Sequence, residues 1–313
     1  MRYLVSIPGL THYPGPRGPE WARDLGPDEI LDLLRHVDEL GLDFVNVSTH
    51  FAMHESLVET MGPVWPHSLS ASGILLGATS RIQVFCKVVV PYHRPIELAK
   101  ALATLDVMSG ERLVPVPLVG YMEWEFDLVG EPIGERGSIT DEYVAAMIEL
   151  WTAERPRFSG KRVSFADIAF EPRPRRELPL WFGGRAKAAL RRVARYGHGW
   201  VSYATPHVEI PAMIDYIRSQ PEFERRKPSL EVYANLVERT RDLNTHADPS
   251  PPTPLVGAEA IIDRVGRLSE LGVTITTADV SGGRGPGDGP ATSAEEWCDR
   301  MSWFAEEVMG PTR

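Results

Sequence analysis

The chain has 313 residues, 43% of them hydrophobic and 24% charged, the ordinary balance of a water-facing globular protein. Its formal net charge of -10 argues against a nucleic-acid binder, which needs a basic face, yet leaves room for a local basic pocket. No run of about 18 apolar residues exists to span a membrane, the N-terminus lacks the apolar stretch of a signal peptide, and the two cysteines, Cys86 and Cys298, lie far apart, so a reduced, cytoplasmic protein is expected.

Residues 3–7 are the first predicted strand; it ends at Pro8-Gly9 and opens into a Pro/Gly-rich loop carrying His12. Pro27-Asp28-Glu29 starts a helix with its acidic residues at the positive end, and Gly41 closes it. Residues 43–48 form strand two, and the loop beyond it carries Thr49, His50, His54, Trp65 and His67. A helix over 68–79 leads to strand three at 81–90, rich in β-branched residues and stopped by Pro91. Over 94–108, Ile96, Leu98, Ala99, Leu102, Leu105 and Met108 recur at helical spacing, and Ser109-Gly110 ends the helix. Strand four, 113–119, ends at Gly120; with strand three and the helix between them it makes a βαβ unit of two parallel strands.

A short helix in MEWEFDLVG follows, then a longer one over 138–153 with Tyr143, Met147, Leu150 and Trp151 on one face. Residues 155–175 interrupt the alternation as an excursion outside the sheet, a hairpin turning at Ser159-Gly160. Strands at 178–182, 199–203, 229–238 and 273–280 alternate with helices at 186–196, 208–219 and 258–271, and a last helix covers 293–308. Residues 240–256 form a Pro-rich insertion, and 281–292 a Gly-rich loop outside the barrel. Eight strands alternating with helices predict a single α/β domain over 1–313, a (β/α)8 TIM barrel with insertions rather than an open doubly wound sheet.

In such a barrel the chemistry sits at the carboxyl ends of the strands. Gly183-Gly184 ends one strand just before a helix whose first N–H groups lack partners, an arrangement open to an anion. Arg185 and Ala186 follow, and the arginine can add a charged contact. Arg191 and Arg192 are expected on a solvated outer face. His50 stands at the end of strand two, where an imidazole can move a proton. HFAMH has i,i+4 histidines but no third ligand, so no metal site is expected. Lys87 is the most unusual charge, on an otherwise apolar strand: it either meets an anion in the barrel mouth or extends to solvent. Pro115 and Pro117 remove two ladder donors from strand four, which is costly in a central strand.

Two segments carry a resemblance. The first is a strand followed by P-Y-x-x-P and L-A-K-x-L-A-T-L-D-x-x-S-G-x-R-L, present as Pro91, Tyr92, Pro95, Leu98 to Lys100, Leu102 to Asp106, Ser109, Gly110, Arg112 and Leu113. The second is PLWFGGRAKAALRRVARYGHGWV. Together they resemble the luciferase-like monooxygenase family, whose members are (β/α)8 barrels using FMN or the deazaflavin coenzyme F420. The unbroken spacing of the first segment points to the F420-dependent branch. The resemblance implies hydride transfer between F420 and a small-molecule substrate, or FMN-dependent monooxygenation, in a homodimeric enzyme.

It implies cofactor contacts at Cys86, Lys87, Gly120, Gly183, Gly184, Arg185 and Ala186, catalysis by His50 with Lys87, and substrate contacts at His12, Thr49, Tyr121 and Trp124. The chain departs from the pattern at three places. Thr49 replaces the acid that commonly precedes the histidine, Phe85-Cys86-Lys87 is bulkier than the family's small residues, and of the glycine-rich end of strand four only Gly120 survives, with Leu118 in place of a glycine and Tyr121 at the aromatic position. These departures leave a third reading, a barrel that has lost flavin and serves as a cofactor-free enzyme or binding protein.

Overall fold

The computed structural model describes residues 1–12, 18–226, 229–238, 253–285 and 287–313. The chain runs β1 Arg2–Val5, α1 Pro27–Glu39, β2 Phe44–Val47, α2 Val58–Met61, α3 Ser68–Ala78, β3 Gln83–Val89, α4 Pro95–Met108 and β4 Leu113–Leu118. It continues with α5 Glu123–Val129, α6 Arg136–Thr152, the hairpin β5 Phe158–Ser159 and β6 Ser164–Phe165, β7 Trp181–Gly183, α7 Lys187–Tyr196, β8 Gly199–Val201 and α8 Ile210–Arg218. The last elements are α9 Pro221–Arg226, β9 Glu231–Tyr233, α10 Ala258–Glu270, β10 Ile275–Thr277, α11 Ala294–Phe304 and, after a π-helical segment at Ala305–Met309, α12 Gly310–Thr312.

Eight parallel strands make one sheet in the order β4-β3-β2-β1-β10-β9-β8-β7. Its two ends, β4 and β7, lie against each other without ladder pairing, so the barrel is nearly closed. The prolines explain the seam. The Arg112 carbonyl accepts from Val84 N–H, so even-numbered residues of β4 face β3 and odd-numbered ones face β7. Pro115 and Pro117 are odd: the donors they lack are missing only on the seam side, and all six residues of β4 still pair with β3. The cost expected of prolines in a central strand is thus avoided, because a parallel ladder needs a donor from both partners and none is attempted here.

Side-chain alternation divides the core in two. Leu4, Phe44, Phe85, Val114, Val116, Trp181, Val201 and Ile275 fill the barrel interior, where Phe85 meets Phe44 at 5.0 Å and Trp181 at 4.9 Å, both edge-on. Their neighbours in sequence, such as Tyr3, Val45, Val84, Cys86 and Leu113, point outward onto the helices, among them Leu34, Leu75, Leu98 and Leu102. At the amino-terminal end of the barrel Arg2 pairs with Glu231 at 2.7 Å and lies over the Phe44 ring. The opposite end forms the mouth.

Two buried carboxylates tie helices to the sheet. Asp38 near the end of α1 accepts from the N–H groups of Ser80 (2.9 Å), Arg81 (3.0 Å) and Ile82 (2.6 Å) and from the Ser80 hydroxyl (3.2 Å), which fixes the turn into β3. Asp106 at the end of α4 meets Arg176 at 2.9 Å; burial raises its pKa to about 6 against the lowering effect of that guanidinium. The hairpin is antiparallel with Phe158 opposite Phe165, and it lies outside the barrel sheet, as expected of the 155–175 excursion.

Arg192 corrects an expectation. It is 7% exposed, and it binds Asp141 of α6 through both Nε (2.7 Å) and Nη2 (3.2 Å), joining α7 to α6. The strands are also shorter than the apolar runs suggest: the run at 229–238 yields a ladder only at Glu231–Tyr233. Most of the Pro-rich insertion at 240–256 lies outside the described residues.

Candidate functional site

The rim of the mouth is assembled where β2 and β4 end. Gly120 closes β4 at φ 77, and a Cβ there would come within 2.8 Å of Val89 and 2.9 Å of Phe126. Only glycine fits this turn. It delivers Tyr121 to the rim and starts α5, whose first turn carries Glu125. The Glu125 side chain is 2% exposed and sits at the positive end of the helix.

Glu125 holds the segment that follows β2. Its Oε1 accepts from the N–H groups of Phe51 (2.5 Å) and Ala52 (3.3 Å). Its Oε2 accepts from the Tyr92 hydroxyl at 3.2 Å and from His50 Nδ1 at 3.3 Å. An ionised carboxylate can only accept, so the proton of a neutral His50 ring resides on Nδ1 and leaves Nε2 as a base. The Tyr121 hydroxyl stands 3.3 Å from that Nε2. Trp65 packs edge-on against the ring at 4.5 Å, and the His50 side chain is 9% exposed. Burial and the neighbouring Glu125 push the Tyr92 phenol upward, so it stays protonated and donates.

His50 therefore has an acidic partner after all. Thr49 is not that acid; Glu125 takes the role from a helix 75 residues further on. The sequence signal was a glutamate in the first turn of the helix after strand four, and it was missed because nothing local links it to strand two.

The other expected residues fall into three groups. Tyr121, 40% exposed, joins His50 at the rim. Thr49 adjoins it in the chain, and the His12 N–H binds the carbonyl of Val64, next to Trp65. Trp124 instead packs on the loop after β2: its Nε1 donates to the Ala52 carbonyl at 3.4 Å and its ring meets His54 at 5.8 Å. His54 caps a short helical turn and His67 caps α3, accepting from the N–H groups of Ser56 and Ser70. On β3, Cys86 turns outward, with Sγ 3.9 Å from the Ser68 carbonyl and its pKa raised to about 11 by burial. A thiol contact with a ligand in the mouth is removed by that orientation. Lys87 turns inward, and burial lowers its pKa to about 8.

Across the seam lies the β7–α7 turn. Gly184 adopts φ 107, with its N–H on the Val201 carbonyl and its carbonyl on Trp200 Nε1. Ala186 is the N-cap of α7 and offers no side-chain cap; Arg185 and Ala186 are exposed. The first-turn N–H groups of α7 thus face outward beside an arginine, which fits an anion. Gly183 lies next to Leu118, whose Cδ2 is 3.6 Å from where a Cβ would stand. Among the described residues no group of three or more potential metal ligands occurs, and no helix is long and apolar enough to cross a membrane.

A parallel eight-stranded barrel with a carboxylate–histidine–phenol cluster at its carboxyl mouth places the chain in the class of TIM-barrel proteins. The sequence profile of the luciferase-like monooxygenases matches residues 3–242, and the chain belongs to that family. It is 25% identical over 251 residues to an FMNH(2)-dependent dimethylsulfone monooxygenase of Pseudomonas putida, covering 79% of this chain and 67% of that one. It is 28% identical over 236 residues to an F420-dependent glucose-6-phosphate dehydrogenase of Microbacterium testaceum, covering 71% of this chain and 62% of that one. The chain thus spans about two thirds of the length of these curated relatives. In fold it is similar to the monooxygenase RslO1 from Streptomyces bottropensis, with a TM-score of 0.75, 18% identity and full coverage of both chains.

Proposed function

We propose that this barrel is an oxidoreductase that binds coenzyme F420 in its mouth and exchanges hydride with a small organic substrate. The observation that carries the reading is His50, held by Glu125 on one side and facing Tyr121 on the other. The residues present fit a phosphorylated cofactor. The bare N-terminus of α7, Gly183, Gly184, Arg185 and Ala186 would hold its anionic tail, and Gly120 shapes the opposite wall. Bound there, the deazaflavin would supply the carbon that gives or takes hydride. FMN-dependent monooxygenation is the second reading, favoured by the similarity to an FMNH(2)-dependent relative.

The chain's own residues do the rest. His50 Nε2 takes a proton from, or returns it to, the oxygen of the substrate. Glu125 keeps the ring in one tautomer and stabilises it when charged. Tyr121 and Trp65 close over the imidazole and limit water beside it. Leu118, next to Gly183, narrows the space between the two walls.

The test is a fluorescence titration with F420 and with FMN, then turnover of the better-bound cofactor against a panel of alcohols and ketones. His50→Ala should leave cofactor affinity within about threefold and lower turnover by about 10²–10⁴-fold. Arg185→Ala should weaken binding about tenfold, equivalent to about 1.4 kcal/mol, if its side chain meets the anion. Failure of both cofactors to bind would return the protein to the reading of a barrel without flavin.

A further inference from the structure

Lys87 has no task in the chemistry above, and its surroundings are unusual for a lysine. β3 sends Phe85, Lys87 and Val89 toward the interior. Phe85 belongs to the apolar floor with Phe44 and Trp181, so Lys87 is the first inward side chain above that floor. Register sets it beside Val116 on β4 and, one step beyond the Val47–Cys86 pair, beside Ser48 just past β2.

The neighbouring strands offer it no counter-charge. Inward residues around Lys87 include Asn46 on β2 and Ser48 just past it, Val116 and Leu118 on β4, and Tyr233 and Asn235 on and after β9. Asn46 donates to the Ser48 hydroxyl at 3.1 Å, and Tyr233 to Asn235 at 2.7 Å. The carboxylates nearer the rim are engaged elsewhere: Glu125 as described, and Asp279 with the N–H and hydroxyl of Ser281 at 3.0 and 2.6 Å. Among the described residues Lys87 has neither an ion pair nor a hydrogen bond through its ammonium. The side chain is half-buried by accessible surface, yet enough protein surrounds its amine to depress the pKa. A lysine that merely extended to solvent would keep an ordinary ammonium. A desolvated cation without a partner is unfavourable, and it becomes favourable when an anion arrives to pair with it.

We propose that Lys87 anchors a carboxylate of the substrate, so that the protein acts on small organic acids whose reacting group reaches up toward His50. Ser48, level with Lys87, precedes His50 by two residues, a chain advance of roughly 7 Å at most. The acid is therefore short, with its carboxylate on the floor and its reacting end at the rim. The proposal rests on the mouth being the active site, and its test does not depend on a cofactor.

The chain has five lysines, so a protein grown with ε-¹³C-lysine gives a spectrum in which each is followed separately. The Lys87 signal is assigned by its loss in Lys87→Met or Lys87→Arg. Without ligand it should titrate near 8. Acetate, propanoate and benzoate are then compared with their neutral amides, and at least one acid should raise the midpoint by about one unit, a tenfold preference for the charged amine, while its amide does not. Equal responses to acid and amide, or an ordinary lysine midpoint indifferent to every acid, would overturn the assignment. So would a rise produced by F420 or FMN alone, which would give the anion to the cofactor. If neither cofactor binds but a carboxylate still raises the midpoint, the anchor stands and the flavin reading falls.

Discussion

Four donors converge on the Glu125 carboxylate: two backbone N–H groups, a phenol and an imidazole. Such a group has no spare lone pair to lose, and replacing it leaves several buried donors short of an acceptor. In Glu125→Gln the two loop N–H groups keep the remaining carbonyl oxygen, so the NH₂ faces His50 and the imidazole loses its fixed tautomer. Turnover should fall about 10²–10⁴-fold with cofactor affinity retained, while Tyr92→Phe, which removes one donor only, should stay within a few-fold. If Glu125 acts through His50, the pH profile of turnover moves in Glu125→Gln, and ¹⁵N shifts of His50 show the change of tautomer. A purely structural role would change the amount of folded protein but neither of these readouts. At this scale the sequence was half legible. His50 stood out by its strand-end position. Glu125 did not, because its contact with His50 crosses 75 positions, and Cys86 and Lys87 could be assigned to opposite faces only once the register of β3 was known.

At the scale of elements, Asp38 shows how a helix sets the start of a strand. It is 6% exposed, and burial alone would raise its pKa; the N–H groups of Ser80, Ile82 and Arg81 and the Ser80 hydroxyl outweigh that and lower it. A carboxylate whose folded pKa lies below the unfolded value adds stability above the unfolded pKa and loses it as pH falls through the folded one. Asp38→Ala should therefore cost roughly 2–4 kcal/mol at neutral pH. Urea melts at pH 7 and pH 3 are the check, and the gap between variant and parent should narrow at the lower pH.

Helices were readable from apolar spacing, as in α4, whose bounds the pattern reproduces within one residue. The exceptions are α2, four residues inside the stretch read as a loop, and α9, whose six residues, PEFERR, hold only Phe223 as an apolar anchor. Strands were overdrawn because burial continues past the ladder. Leu178 and Leu180 are buried, yet pairing begins at Trp181. Arg192 looked solvated because its partner, Asp141, lies on another helix.

For the whole molecule, alternation of strands and helices was enough to foresee the barrel, and what it did not foresee was where the ring is joined. The sheet is a split ring whose cut falls between β4 and β7. The cut runs through the mouth: Tyr121 and Glu125 follow β4 on one bank, and Gly184 and the α7 N-terminus follow β7 on the other. Packing across it, including Leu118 against Gly183, replaces the hydrogen bonds that two prolines preclude. The joint is then the place where the barrel breathes most easily. A molecule that rests its tail on α7 and its reactive end under Tyr121 acts as a clasp across the gap, and its binding energy appears as resistance to opening. Hydrogen–deuterium exchange with saturating cofactor should show its largest slowing at the amides of Leu113, Val114, Val116 and Leu118 and of 181–184, ahead of β1 and β10 on the far side of the ring. Equal slowing around all eight strands would mean the clasp does not form. Slowing confined to the seam would make the barrel a vessel whose wall is completed by what it holds.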